Sequence, residues 1–214
     1  MITVQKAMIK NGLVLAAFAI VTTGLVTATQ ILTKDQIALQ EKQQLLKVLE
    51  QVLPKNKYDN ALYLDCTHVN AGFLGSKKPH TIYRARKNNK PIALLIESTA
   101  PDGYSGNIEI LSAVYLDGTV AGVRVIKHSE TPGLGDKVDI EKSQWITKFE
   151  NVQVKSEKDM RWAVKKDGGI FDQFTGATIT PRAVISAVKR ASLYAQNEKD
   201  MLFNAVNECE QVRN

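Results

Sequence analysis

An uncharged run near the start of the chain limits what it can fold into more than any other feature. No residue between Lys10 and Lys34 carries a charge, and the stretch Asn11–Thr33 is 23 residues long. As a helix it spans roughly 34 Å, enough to cross a hydrocarbon core of about 30 Å. Thr22, Thr23, Thr27 and Thr29 dilute its Leu, Val, Ala and Ile, and a Thr can return its hydroxyl to an upstream carbonyl. Three readings compete. A buried core helix fits poorly with a long, N-terminal run flanked by Lys6 and Lys10. A cleaved signal would use Leu13–Val21 as its apolar core, yet Val26–Gln30 offers no Ala-x-Ala cleavage pattern. An uncleaved anchor accounts for both length and flanks. Its positive front places residues 1–10 in the cytoplasm, residues 11–33 across the membrane and the remainder outside. The run holds no ionisable side chain, so the chain is not expected to carry an ion path by itself.

The remainder has the balance of a globular domain: hydrophobic residues are 44% of the chain and charged residues 23%. The net charge of +6 is mild, and two of the positive charges orient the anchor. That falls short of a nucleic-acid binder, and no nucleic-acid partner is expected. Two cysteines cannot build a disulfide framework or a Cys-rich metal site, and there is no C-x-x-C-H or four-Cys pattern. Cys66 and Cys209 form either one disulfide, if the domain faces an oxidising compartment, or two buried thiols. His68 and His80 stand alone, as surface or satisfied core residues, so no metal site is expected. Arg84 and Arg86 share a strand face and, with Lys77-Lys78 and Lys165-Lys166, read as solvated surface first and anionic-partner contact second.

Past the anchor, residues 34–54 read as a stalk helix capped by Thr33 or Asp35 and closed by Pro54. Residues 55–214 read as one α+β domain. Thr81–Arg86 and Pro91–Thr99 flank a polar turn at Lys87–Lys90. Ile108–Leu116 and Thr119–Lys127 flank Asp117-Gly118, which suits a two-residue type I′ hairpin. A helical segment over Asp139–Phe149 and a short strand near Trp162–Val164 follow. The last element is a helix from Pro181 to about Asn197, with Thr180 as N-cap and Ala183, Val184, Ala187, Val188, Ala191 and Tyr194 or Ala195 as its apolar stripe.

Glycines and small residues gather in three clusters, Pro101–Gly106, His128–Lys137 and Asp167–Thr178. Any one alone reads as a turn: Thr131-Pro132-Gly133 fits type II. Three together are better explained by backbone that must approach a flat or phosphorylated ligand. The third cluster runs into the start of a helix, where unpaired N–H groups favour a phosphate. Competing N-caps at Thr178 and Thr180 are the bland alternative.

Asp172-x-x-Thr175-Gly176-Ala177-Thr178 resembles the D-x-x-[S/T]-G-A-T signature of proteins that carry covalent FMN. His128-x-Glu130-Thr131-Pro132-Gly133-Leu134-Gly135 resembles a second block of the same family. With the anchor, the chain is similar over nearly its whole length to the G subunit of the Rnf, or Rsx, electron-transport complex. The sister family is the C subunit of the sodium-translocating NADH:quinone reductase. The resemblance implies that a separate flavin transferase cleaves FAD and esterifies FMN through its phosphate to Thr178, with Asp172 as a recognition residue. Thr175 stands where relatives commonly have Ser. It also implies an electron-relaying redox subunit of an ion-translocating oxidoreductase, inactive alone, with ferredoxin and NAD as end couples. Its setting would be the bacterial inner membrane, with the domain in the periplasm and the rest of the complex as partners. Gly103, Tyr104 and the loop His128–Gly135 would then surround the isoalloxazine. Tyr104, Phe171 or Phe174 could stack on it, and His128 and Glu130 could tune its potential. A rival of another class is a non-redox, single-pass adaptor or ligand-binding domain whose glycine clusters are plain turns.

Overall fold

A computed structural model describes residues 2–209. The chain divides into two compact units with the boundary between Leu45 and Leu46.

The first unit is helical. Helix α1 spans Ile2–Val52 without interruption, so the separate stalk with a cap at Thr33 or Asp35 is not observed. Thr33 instead turns its hydroxyl back to the carbonyl of Thr29 at 2.9 Å, and Thr22 and Thr29 do the same to Phe18 and Leu25. Their polar groups are satisfied inside the helix, and nothing about Thr33 interrupts it. Every residue of the run 11–33 is exposed. Among the described residues this one helix is long and apolar enough to cross a membrane.

The second unit is a five-stranded antiparallel meander in sequence order, β1 Cys66–Val69, β2 His80–Lys87, β3 Lys90–Gly103, β4 Gly106–Tyr115 and β5 Val120–Lys127. Helix α2, Ile179–Asn204, packs on one face. Ile82, Leu94, Ile96, Ile108, Ile110, Val114 and Val123 point toward it and meet Ala183, Val184, Ala187, Val188, Ala191 and Ala195. The alternate positions Tyr83, Ala93, Leu95, Leu111 and Ala113 face the other way and are equally buried. The last turn of α1 arrives on that side: a Cβ on Gly122 would lie 2.5 Å from the carbonyl oxygen of Val52. Burial on both faces explains why Ile92–Ile96 is apolar without alternation.

Several sequence expectations are corrected. The type I′ turn lies at Asn88-Asn89, both at positive φ (49° and 60°), not at Asp117-Gly118. There Gly118 alone has positive φ, and its N–H donates to Tyr115 at 2.9 Å. That is a three-residue loop, a type I turn closed by a glycine bulge. Of the expected helix Asp139–Phe149 only Gln144–Phe149 is helical, as a 3-10 segment capped by Ser143. The strand near Trp162–Val164 is reduced to one bridge, Val164 with Phe171.

Arg84 and Arg86 are not solvated surface. Arg84 is only 2% exposed; both guanidinium groups pair with Asp65 and donate to the last carbonyls of α2, at Leu202, Phe203 and Ala205. Those carbonyls lack partners within the helix, and the arginines supply them. His80 is buried, with Nε2 between Ser76 and Thr99 and Nδ1 without a partner. Burial pushes its pKa down.

Cys66 and Cys209 form a disulfide across 143 residues. It secures the segment after α2 along the edge strand β1. Asn207 accepts from the N–H groups of Cys66 and Cys209 and donates to Leu64, while the Glu208 carboxylate accepts from Thr67 Oγ1 and the His68 N–H.

Candidate functional site

The meander brings the three glycine clusters to one end of the sheet. Strand β3 ends there in the tip Tyr104–Ser105, β5 ends there and releases the loop from His128, and α2 begins there. The Asn88-Asn89 turn and the arginines lie at the opposite end.

Glu130 joins the first two clusters to the start of α2. It is 4% exposed; its Oε1 accepts from the Ser105 N–H at 2.9 Å, and its Oε2 accepts from the Thr180 hydroxyl. One carboxylate thus ties the β3–β4 tip, its own loop and the first turn of α2. Glycine is required where the pieces meet. A Cβ on Gly103 would fall 2.2 Å from the Gly106 carbonyl, and one on Gly135 would fall 2.8 Å from both Glu130 Oε2 and Thr180 Oγ1. The loop opens as expected, with a type II turn: Gly133 has φ 79°, and the Leu134 N–H reaches the Thr131 carbonyl at 3.1 Å. His128 Nδ1 accepts from the Glu130 N–H.

The segment 171–178 is held by its aromatic residues and presents what lies between and after them. Phe171 stacks on Phe149 with centroids 4.5 Å apart, and Phe174 meets the edge of Trp145 at 5.1 Å. Both are core residues, so of the three candidate stacking rings only Tyr104, 69% exposed, is free to meet a ligand. The Trp145 indole N–H donates to the Asp172 carbonyl at 2.7 Å, and the Asp172 carboxylate pairs in the open with Lys165. Between Phe174 and Ala177 the chain makes a tight turn, with φ 79° at Gly176 and the Ala177 N–H bonded to the Phe174 carbonyl. Thr175 and Gly176 are exposed and Ala177 and Thr178 half-buried.

Helix α2 starts two residues earlier than expected and runs seven residues further, to Asn204. Its N-cap is Thr178, not Thr180, whose hydroxyl is committed to Glu130. Pro181 is the third residue of the helix, where its missing N–H still costs no intrahelical bond. Two features leave the Thr178 hydroxyl idle. Its backbone is already helical (φ −82°, ψ −24°) rather than extended, and the third-residue N–H that a capping oxygen commonly accepts is absent because that residue is Pro181. The hydroxyl makes no capping bond. It sits at a helix start with open N–H groups, behind a glycine whose nearest neighbour to a built Cβ is Leu134 Cδ2 at 3.7 Å.

These residues suit FMN. The Thr178 hydroxyl is unengaged, the helix start favours a phosphate, and Tyr104, Leu134 and Ile179 expose apolar surface at this end. Asp136 Oδ1 is buried without a partner, an acceptor for a donor-bearing ligand. Sequence reasoning missed Ser105, Thr180, Asp136 and the pair Asp167–Arg182. A signal existed for Arg182, four residues after Thr178 on the same helix face. Arg182 binds Asp167 through two hydrogen bonds of 2.7 Å, which hold the Asp167 carboxyl below the usual carboxylate range. Among the described residues no cluster of His, Cys, Asp or Glu is placed to hold a metal.

Residues 103–192 match the FMN-binding domain family, a span that holds Thr178 and nearly all of the three glycine clusters. Residues 1–52 match the RnfG N-terminal region. The chain is 54% identical over 211 residues to the G subunit of the ion-translocating oxidoreductase complex of Aliivibrio fischeri, covering 98% of this chain and 99% of that one. It is 52% identical over 206 residues to the corresponding G subunit of Pseudoalteromonas atlantica, covering 96% of each. The chain belongs to the G-subunit family of ion-translocating oxidoreductase complexes. Between the two sister families weighed from sequence, the N-terminal match decides for the Rnf one. An FMN-binding domain behind an apolar helix, in a family of complex subunits, makes this chain a redox subunit.

Proposed function

We propose that this chain relays electrons within its complex through FMN joined by its phosphate to Thr178. The observation that carries the reading is the Thr178 hydroxyl, uncapped and presented at a helix start. A Thr hydroxyl is a weak nucleophile, and no His or Lys side chain bonds it, so its activation falls to a flavin transferase. In the attachment step Thr178 Oγ1 bonds to the phosphorus of the FMN half of FAD. The pyrophosphate bond breaks, AMP leaves, and the hydroxyl proton passes to a base on the transferase. Asp172, exposed in the motif, is a recognition residue for that enzyme; Thr175, Gly176 and Ala177 form the narrow turn it must approach.

Once bound, the flavin supplies reversible one- and two-electron chemistry. Gly103, Gly135 and the Thr131–Leu134 turn keep the backbone close enough to line it, Tyr104 and Leu134 give it apolar contact, and Glu130 and His128 fix the loop that does so. The end couples are ferredoxin and NAD, and the rest of the complex provides the ion path. The chain sits in the inner membrane with its N-terminus in the cytoplasm and the domain in the periplasm. The Cys66–Cys209 disulfide supports an oxidising location for the domain.

Co-expression with a flavin transferase gives a band fluorescent under ultraviolet light on a denaturing gel; a dark band beside a transferase shown to be active sinks the reading. A reporter fused after Asn214 is active outside the cytoplasm, and cytoplasmic activity reverses the topology.

A further inference from the structure

The bond between the Asp167 carboxylate and the Arg182 guanidinium sits at the mouth of the α2 start. Thr178 and Arg182 are four residues apart, so their side chains share a face, and long helical side chains lean toward the N-terminus. The Arg182 guanidinium therefore lies over the turn that begins at Thr178. Asp167 fixes it there through Nε and Nη2. Both side chains remain substantially exposed, so the pair is within reach of a group arriving from solvent.

The helix start is poorer in donors than most. Its first four N–H groups ordinarily lack partners and attract anions. Here Pro181, at the third position of the helix, removes one of them. The Thr180 hydroxyl is held by Glu130. A phosphodiester on Thr178 would find one backbone donor fewer than at an ordinary helix start and carry a full negative charge. A guanidinium on the same face supplies what is missing, with planar donors matched to phosphate oxygens.

We propose that Arg182 is the phosphate-positioning residue of the Thr178 site, binding the anionic phosphate of the flavin as it is joined to the threonine, with Asp167 as its counter-ion until then. This rests on the reading of Thr178 as the attachment residue. Asp167 neutralises the guanidinium when no ester is present, and its removal frees Arg182 without deleting it.

The test uses the full chain in detergent micelles with purified flavin transferase and FAD, following fluorescent label on a denaturing gel against time. Arg182→Gln slows labelling about tenfold, the loss expected when one charge-assisted contact to phosphate goes. Arg182→Lys recovers most of the rate, and Asp167→Asn labels at least as fast as the unaltered chain. Arg182→Gln and Asp167→Asn lose the same ion pair, so a purely structural pair slows both equally. That result, or Arg182→Gln labelling at the original rate, overturns the proposal. Circular dichroism melts of the unlabelled variants check that each is folded. No label on the unaltered chain beside an active transferase removes the Thr178 reading itself, an outcome distinct from a selective failure of Arg182→Gln.

Discussion

Replacing Cys209 by Ala opens a covalent loop closed over 143 residues. Loop-closure entropy assigns such a cross-link about 5 kcal/mol, and native bridges commonly deliver somewhat less. Cys209 is the partner to change, because it is half-buried near the end of the described chain, whereas Cys66 is fully buried and its truncation would add a cavity. The other contacts of the segment, Asn207 with Leu64 and Glu208 with Thr67 and His68, persist in the folded variant. The loss therefore arises in the unfolded chain, at about 3–5 kcal/mol. Urea unfolding of the unflavinylated chain in micelles reads it through Trp145 and Trp162, both in the domain core. Dithiothreitol brings the unaltered chain to the curve of Cys209→Ala and leaves the variant unchanged. A variant within about 1 kcal/mol of the unaltered chain refutes the reasoning. Thiols in the unreduced, unaltered chain that react with a maleimide under denaturant refute the disulfide itself.

Glu130→Ala leaves the Ser105 N–H and the Thr180 hydroxyl without their acceptor, costing about 2–3 kcal/mol. Hydrogen exchange shows the Ser105 amide losing protection, and unchanged protection contradicts the clamp. Arg84→Ala leaves Asp65 Oδ1 and the carbonyls of Leu202 and Ala205 without the donor that serves them, although Arg86 still pairs with Asp65 Oδ2; it destabilises the chain by about 3 kcal/mol in urea unfolding, where a solvated arginine would cost almost nothing. Burial lowers the His80 pKa below 6.5, so the unfolded chain binds a proton there that the folded chain refuses. Its contribution is complete above about pH 6.5 and is lost as the pH falls toward the folded pKa. The melting temperature therefore drops, as the pH falls below about 6.5, more steeply in the unaltered chain than in His80→Gln, and superimposed profiles refute the assignment.

Periodicity and turn chemistry made the long strands, the final helix and the Thr131–Leu134 turn legible, because each is a local pattern. Strand β1 was not, since four residues of mixed polarity leave no alternation to read, and its edge position depends on the segment after α2. The N-cap was misplaced because Thr178 and Thr180 are both good caps locally; the choice is made by Glu130, 50 residues away from Thr180. Arg84 and Arg86 looked like surface because the helix end they serve lies more than a hundred residues further on. At the candidate site, the motif pointed to Thr178 and the glycines. That Glu130 ties the β3–β4 tip and its own loop to the first turn of α2, and that Pro181 leaves the Thr178 hydroxyl without a capping bond, emerged only with the chain folded.

The central claim is that one hydroxyl of this chain carries the flavin. With an active flavin transferase present, Thr178→Ala is dark on a denaturing gel while Thr175→Ala, at the head of the same turn, keeps its fluorescence. Fluorescence that survives Thr178→Ala, or that disappears only in Thr175→Ala, contradicts the account.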